Sequence, residues 1–128
     1  MRDCDLIWNR AALDGGGIAP QRGDQALADV LVAHGLIMNG GVLHALELLD
    51  PNQVQRAASG MEYFGLAQAS CVLLETLETL NRLGGSEKLE AEANARYWAV
   101  LADDTTLAER FEQVFVKHPG DFASLGDA

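Results

Sequence analysis

The amino-acid sequence predicts an all-α fold, a compact single-domain bundle of about six to seven short helices over residues 1–128. Apolar residues recur at helical spacing along most of the chain, and no stretch alternates between polar and apolar residues as a half-buried strand does. Start and stop signals rich in Gly, Pro, Asp and Ser separate these periodic segments. The chain is long enough for one hydrophobic core.

The composition narrows the class of protein. Asp and Glu total 19 against 9 Lys and Arg, a formal net charge of −10 at pH 7. This charge repels nucleic-acid phosphates and anionic membranes, although it also simply favours solubility. No apolar run approaches the roughly 18 residues of a membrane-spanning helix, and the first residues lack a secretory signal. We therefore expect a cytoplasmic protein, with Cys4 and Cys71 as reduced thiols.

The first two helices are separated by a glycine-rich turn. Residues 3–13 place Trp8 on an apolar stripe, and the glycine run that follows stops the helix. Asp24 is a typical N-cap for the second helix, which carries His34 on its apolar stripe. Gly35 is predicted to end that helix.

A tight corner is predicted at Asn39, Gly40 and Gly41. The side-chain oxygen of Asn39 can cap a third helix over residues 42–49. The two glycines permit a close-packed turn, because they have no Cβ.

The fourth and fifth helices have the clearest signals. Asp50 is placed as N-cap, Pro51 occupies the first helical position, and Gln53 follows the cap by three residues. The fifth helix begins near Gly65 and holds its apolar stripe to Gly84, which makes it the longest helix predicted.

The last two helices complete the bundle. Ser86 is predicted to cap the sixth helix, and Thr106 with Glu109 has the spacing of a capping box for the seventh. The apolar face of the seventh helix includes His118 at its end. Phe122 is then expected to fold back onto the core.

Residues suited to catalysis or metal binding are few and scattered. His34 and His118 lie on apolar stripes near helix ends, where a packed histidine is the simplest interpretation. His44 and Glu47 lie three residues apart on the third helix, but two ligands without a third make no metal site. The glycine runs match no phosphate-binding motif. We therefore predict no catalytic residues, no cofactor and no metal.

Carboxylates crowd the C-terminal half of the chain. They are Glu75, Glu78, Glu87, Glu90, Glu92, Asp103, Asp104, Glu109 and Glu112. Solvated charge is the simplest interpretation of such residues on outward helix faces. Held by rigid helices, the same carboxylates could attract a basic protein in a salt-dependent way, with Trp98 as an anchor where it is exposed.

A set of short motifs resembles a known family. In chain order they are Asn39-Gly40-Gly41, Gly65 before an Ala-rich helix, Arg96-Tyr97-Trp98, Asp103-Asp104, and the ending His118-Pro119-Gly120-Asp121-Phe122. Over residues 27–122 the chain resembles the DNA-mimic protein family, a group of acidic, all-helical bacterial proteins otherwise described as a domain of unknown function.

The resemblance implies a helical fold, often dimeric, with an acidic surface that occupies the DNA-binding face of a helix-turn-helix regulator. The shared motifs look like folding devices, so they imply the scaffold more than the activity. Residues 42–46 lack the aromatics expected after Asn39-Gly40-Gly41, which points to a different partner if those aromatics shape the partner surface.

Three functions follow as hypotheses. The first is a non-enzymatic interaction protein that binds a basic DNA-binding regulator and blocks its access to DNA. The second is an immunity or antitoxin protein whose acidic face neutralises a basic nuclease. The third is a metal-dependent enzyme built on His44, Glu47 and a third ligand such as His34.

Overall fold

Between residues 2 and 126 the chain folds as a bundle of seven α-helices followed by a short 3₁₀ helix. A computed structural model describes residues 2–126. The helices in this part are α1 (Asp3–Asp14), α2 (Arg22–Gly40), α3 (Val42–Leu48), α4 (Pro51–Tyr63), α5 (Ala67–Leu83), α6 (Glu87–Val100), α7 (Asp104–Lys117) and the 3₁₀ helix (Pro119–Asp121). Residues 2–126 contain no strand, and the predicted all-α fold is confirmed.

Helix α2 lies at the centre of the bundle. It packs against α1, α3 and α4, while α5 packs between α4 and α6. One contiguous core joins these helices. Its largest fully buried side chains include Tyr97, Phe64, Phe111, Leu27, Ile37 and Met61. Trp8, predicted to be a core residue, is half-buried and packs on the ring of Phe111 at 5.9 Å between centroids.

The contact between α2 and α4 is close because α4 carries a glycine there. A Cβ added to Gly60 would lie 2.7 Å from the backbone oxygen of Ala26 and 2.7 Å from a methyl carbon of Val30. Such distances are well below a normal van der Waals contact of about 3.5–4.0 Å. Only glycine therefore fits between the two helices at this level.

Two glycine substitutions should change stability in opposite directions. Gly60→Ala is expected to lower the free energy of unfolding by about 1–3 kcal/mol, because the added methyl forces α2 and α4 apart. Gly35→Ala is expected to raise it by about 0.5–1 kcal/mol, since alanine is the better helix former and nothing lies within 4 Å of the added Cβ. Urea unfolding followed by circular dichroism measures both. Equal effects from the two substitutions would show that the close approach at Gly60 is not limiting.

The bounds of α2 differ from the predicted ones. The helix begins at Arg22, with Gln21 as N-cap, so that Asp24 lies inside the first turn and is buried. It continues through the exposed Gly35 to Gly40 and, at 19 residues, is longer than the 17-residue α5. The burial of Ile37 beyond the glycine explains why the helix continues. The predicted N-cap and end of this helix were wrong.

Asn39 does not cap α3. It lies near the end of α2, and the N-cap of α3 is Gly41, whose φ of 95° favours glycine. The N–H of Val42 donates instead to Oδ1 of Asn94, at 2.9 Å, from α6. The predicted corner exists, but a side chain 52 positions further along the chain supplies its cap.

The predicted starts of α4 and α6 are confirmed. Asp50 accepts a hydrogen bond from the N–H of Gln53 at 2.8 Å, and the Gln53 side chain accepts one from the Asp50 N–H at 2.9 Å. Ser86 accepts from the N–H of Leu89 at 3.0 Å. These residues satisfy backbone donors that the first helical turn leaves without partners.

The C-terminal segment differs from the prediction in two details. Asp103, not Thr106, caps α7, and its carboxylate accepts from the N–H of Thr105 at 2.9 Å. His118 is exposed rather than buried, because α7 ends one residue before it. Pro119 starts the 3₁₀ helix that returns Phe122 to the core. The sequence also predicts that the last few residues fray, and of these, residues 127 and 128 lie outside the described part.

Cys4, which is half-buried, and Cys71, which is exposed, are both free thiols. Within residues 2–126, no helix combines the length and apolar character needed to cross a membrane.

Candidate functional site

Helix α6 lies between α3 and α5 and carries the centre of the predicted acidic surface. Its Ala93 and Tyr97 are buried in the core. On one side Asn94 contacts the start of α3, and on the other Arg96 forms an ion pair with Glu75 of α5. These two contacts fix which side of α6 faces each neighbour.

The outer face of α6 is a ridge of alanines. Ala91, Ala95 and Ala99 are exposed and follow one another at i, i+4 and i+8, so they line one face of the helix. Their side chains are short, and another molecule can therefore approach the α6 backbone closely at this ridge.

Carboxylates flank the alanine ridge on both sides. Glu90 lies one turn before Asn94 and therefore shares the α3 side of the helix, with Glu87 three residues before it. Glu75 and Glu78 lie on α5, on the opposite flank, where Glu75 contacts α6 through Arg96. We call this region the α6 surface. It consists of Ala91, Ala95, Ala99, Glu75, Glu78, Glu87 and Glu90.

The carboxylates of the α6 surface differ in their partners. Glu78, Glu87 and Glu90 are exposed, and within residues 2–126 none of them forms an ion pair or a side-chain hydrogen bond. Glu75 is already engaged by Arg96. Three carboxylates therefore remain available to an external cation.

Asp103 and Asp104 have structural roles at the start of α7. Asp103 caps the helix, and Oδ1 of Asp104 lies 2.9 Å from Nε2 of His34. Nδ1 of His34 lies 2.7 Å from the hydroxyl of Tyr97. The row Tyr97, His34, Asp104 joins α2, α6 and α7 from the core to the surface.

In the neutral form of His34, both ring nitrogens have a hydrogen-bond partner of the right kind. The Tyr97 hydroxyl donates to Nδ1, and Nε2–H donates to the Asp104 carboxylate. Burial lowers the pKa of His34 below its usual value, while the Asp104 charge acts in the opposite direction. Burial, and then the nearby Asp104 charge, raise the pKa of Tyr97. Both groups are therefore uncharged at neutral pH.

Three acidic residues remain. Glu92 is exposed on α6, with its carboxylate 4.0 Å from the ammonium group of Lys88. Glu109 and Glu112 lie on α7. Glu112 forms an ion pair with Arg2 at 2.7 Å and accepts a hydrogen bond from the Cys4 thiol at 3.2 Å. Burial, together with this hydrogen bond, raises the pKa of Cys4. Glu109 is exposed. Since Glu112 faces α1, it does not belong to the α6 surface.

Trp98 is half-buried rather than fully exposed. Its ring packs edge-on against Tyr97, with the centroids 5.5 Å apart, and it borders the core. Only part of the indole is therefore available as an interface anchor.

The structure places His44 and Glu47 on α3 without a third ligand. His44 is half-buried against Gly40, and Glu47 is exposed. Both ring nitrogens of His34 already have hydrogen-bond partners, Tyr97 and Asp104. Within residues 2–126, no three His, Cys, Asp or Glu side chains are grouped closely enough to hold a metal ion.

These features define an all-helical protein with an acidic surface, the α6 surface, on α5 and α6. Comparison with known protein families, curated proteins and solved structures finds nothing that this chain matches.

Proposed function

We propose that this protein is a non-enzymatic interaction protein whose α6 surface binds a basic protein. The observation that carries the proposal is the set of carboxylates on Glu78, Glu87 and Glu90, which are exposed and have no ion-pair or side-chain hydrogen-bond partner among residues 2–126. They border a ridge of alanines that a partner can approach closely. A cationic partner would supply the counter-charges that the chain itself does not.

Charge on rigid helices favours this kind of recognition. The carboxylates of α5 and α6 are held in place by a packed helix pair, so binding does not require the backbone to become ordered. A net charge of −10 also accelerates encounter with a basic protein, and added salt screens this effect.

The proposed partner is a DNA-binding regulator, and the α6 surface would occupy its DNA-binding face. The resemblance of residues 27–122 to the DNA-mimic family supports this choice, and so does the sign of the charge. A DNA-binding face is basic because it neutralises phosphates, and carboxylates flanking a helix present charge of the same sign as those phosphates.

The test combines capture with competition. The tagged protein is incubated with an extract of its source cells at low salt, and captured proteins are identified by mass spectrometry. We expect a basic DNA-binding protein, whose complex weakens steeply with added salt and is displaced by double-stranded DNA. Recovery of a basic nuclease would favour the immunity function instead. A partner that DNA does not displace would contradict mimicry.

A matched pair of variants locates the binding surface. The triple variant Glu78→Gln, Glu87→Gln, Glu90→Gln should weaken the complex by about tenfold or more, since three counter-charges are lost. The control Asp3→Asn, Asp14→Asn, Glu47→Gln changes three exposed carboxylates outside the α6 surface and gives the same net charge. Equal weakening by both variants would show that only the total charge matters. Isothermal titration calorimetry with the purified partner measures the dissociation constant of each variant.

A further inference from the structure

A polar cavity lies where the end of α4 meets α2 and the last turns of α7. Its volume is about 660 Å³, within the range of small-molecule sites. Arg22 of α2, Tyr63 of α4, and Arg110 and Lys117 of α7 line it. Arg110 and Lys117 are seven residues apart, two turns along the same helix face. We call this cavity the cationic pocket.

Most of the Lys and Arg side chains that form no ion pair within residues 2–126 line the cationic pocket. Among residues 2–126, five of the nine Lys and Arg side chains form ion pairs: Arg2, Arg10, Arg56, Lys88 and Arg96. Four do not, namely Arg22, Arg82, Arg110 and Lys117. Three of those four line this one cavity.

The two carboxylates on the wall of the pocket are already engaged. Asp121 accepts a hydrogen bond from the Tyr63 hydroxyl at 2.7 Å, and Glu62 accepts one from Ser70 at 3.4 Å. Burial, and then the hydrogen bond to Asp121, raise the pKa of Tyr63, so the hydroxyl stays protonated and keeps donating. Neither carboxylate forms an ion pair with a cation of the pocket.

Arg22 is held in place by an aromatic ring. Its guanidinium carbon lies 5.0 Å from the centroid of Tyr63, a cation–π contact. The Tyr63 ring itself is fixed by its hydrogen bond to Asp121 and by an edge-on contact with Phe64. This guanidinium is therefore positioned before any ligand arrives, while its N–H donors have no carboxylate partner in the described part of the chain.

We propose that the cationic pocket binds the phosphate group of a small organic phosphate. A carboxylate has two oxygens in one plane and is satisfied by a single guanidinium fork. A phosphate monoester presents three oxygens in different directions and carries nearly two negative charges. Two guanidinium groups and an ammonium group, from two helices, match that second ligand better. His118 also lines the cavity, and its imidazole adds a ring N–H donor.

A neighbouring cavity has room for the uncharged part of such a ligand. This cavity of about 420 Å³ shares Arg22 and Tyr63 with the cationic pocket. Its wall includes Ala26, Ser59 and Gly60, where the close approach of α2 and α4 leaves a shallow floor. A ligand with its phosphate beside Lys117 could therefore extend past the Tyr63 ring.

The test uses defined probes with the full chain. Inorganic phosphate, AMP, adenosine and succinate are titrated separately into ¹⁵N-labelled protein, and amide shifts are followed by NMR. We expect phosphate and AMP to shift the amides of Tyr63, Gly65 and Lys117. Adenosine and succinate should give shifts several-fold smaller at the same concentration. Absent shifts with phosphate and AMP, or equal binding of adenosine or succinate, would overturn the proposal.

Single charge substitutions test the pocket residues and provide a control outside the pocket. Arg110→Gln and Lys117→Gln should each weaken AMP binding by about tenfold, since each removes a charge-assisted hydrogen bond. Arg82→Gln removes the fourth unpaired cation, which is exposed on α5 outside the pocket, and should change binding less than about twofold. All three side chains are exposed, so the variants should fold, and their circular dichroism melting curves check this. Equal weakening by Arg82→Gln would reduce the effect to net charge and overturn the assignment.

This site is independent of the proposed function. The cationic pocket is built from α2, α4 and α7, whereas the α6 surface uses α5 and α6. The glutamine variants of the α6 surface should therefore bind AMP normally, and failure of either test leaves the other standing.

Discussion

Replacing Asp24 with alanine is expected to lower the free energy of unfolding by about 3–5 kcal/mol. The Asp24 side chain is fully buried and accepts three hydrogen bonds. The donors are Arg10 at 2.8 Å, the backbone N–H of Gln21 at 2.9 Å and the backbone N–H of Ala123 at 2.7 Å. Alanine would leave the mostly buried Arg10 guanidinium without its counter-charge. A loss of this size is a large part of the stability of a small domain, about 5–15 kcal/mol.

The control for this prediction lies on the same helix. Asp29 pairs with Arg56 at 3.5 Å, and both side chains are partly exposed, so Asp29→Ala should change stability by less than about 1 kcal/mol. Urea unfolding of both variants gives the comparison. Amide exchange adds a local readout, because Asp24→Ala should speed exchange at Ala123. A loss below about 1 kcal/mol in Asp24→Ala would mean that the ion pair contributes little beyond its burial cost.

The same residue shows where sequence reasoning reached its limit. An aspartate before an apolar-periodic segment is a good N-cap by local rules, and the sequence predicted that role for Asp24. In the structure the N-cap is Gln21, three residues earlier, and the Asp24 carboxylate binds Arg10 and the returning C-terminal segment. Ala123 is 99 residues away, and no local pattern shows that contact.

The starts of α4 and α6 depend on local contacts and were predicted, whereas the start of α3 depends on a distant contact and was not. Asp50 and Ser86 were predicted correctly because their hydrogen bonds reach only three residues ahead. Asn39 was wrong because the cap of α3 comes from Asn94 on another helix. Gly35 was read as a stop signal, yet an exposed glycine costs a helix only about 1 kcal/mol, and the burial of the next turn outweighs it.

The candidate sites were predictable in part. Outward faces of amphipathic helices predicted that Glu78, Glu87, Glu90 and Glu109 are exposed, and they are. Which carboxylates are neutralised internally depends on contacts such as Glu112 with Arg2, between opposite ends of the chain.

The cationic pocket was not predicted. The spacing of Arg110 and Lys117 was a usable signal, since seven residues place both on one face. The third cation, Arg22, lies 88 residues before Arg110 in the chain, and only the tertiary fold brings it to the same cavity. The composition gave no indication of this pocket, because the acidic residues of the whole chain outnumber its cations.

Replacing His34 with alanine is expected to lower the free energy of unfolding by about 2–4 kcal/mol at neutral pH. The substitution opens a cavity in the core and leaves the buried Tyr97 hydroxyl without its acceptor. Tyr97→Phe should cost about 1–3 kcal/mol, because Nδ1 of His34 then lacks its donor. His118→Ala, at an exposed position, should stay within about 0.5 kcal/mol of the wild type. Guanidinium unfolding of the three variants measures these differences.

The effect of His34→Ala should also depend on pH in a defined direction. Burial holds the pKa of His34 in the folded protein below its usual value, whereas in the unfolded chain the imidazole titrates near about 6.5. The unfolded chain therefore takes up a proton first as the pH falls, which favours unfolding of the wild type. Protonation would also make both ring nitrogens donors, so that the Tyr97 hydroxyl loses its acceptor. The stability gap between wild type and His34→Ala should be largest above about pH 7 and narrow as the pH falls through about 6.5. A gap that widens on acidification would show that the attraction of Asp104 for the imidazolium exceeds the cost of burying it.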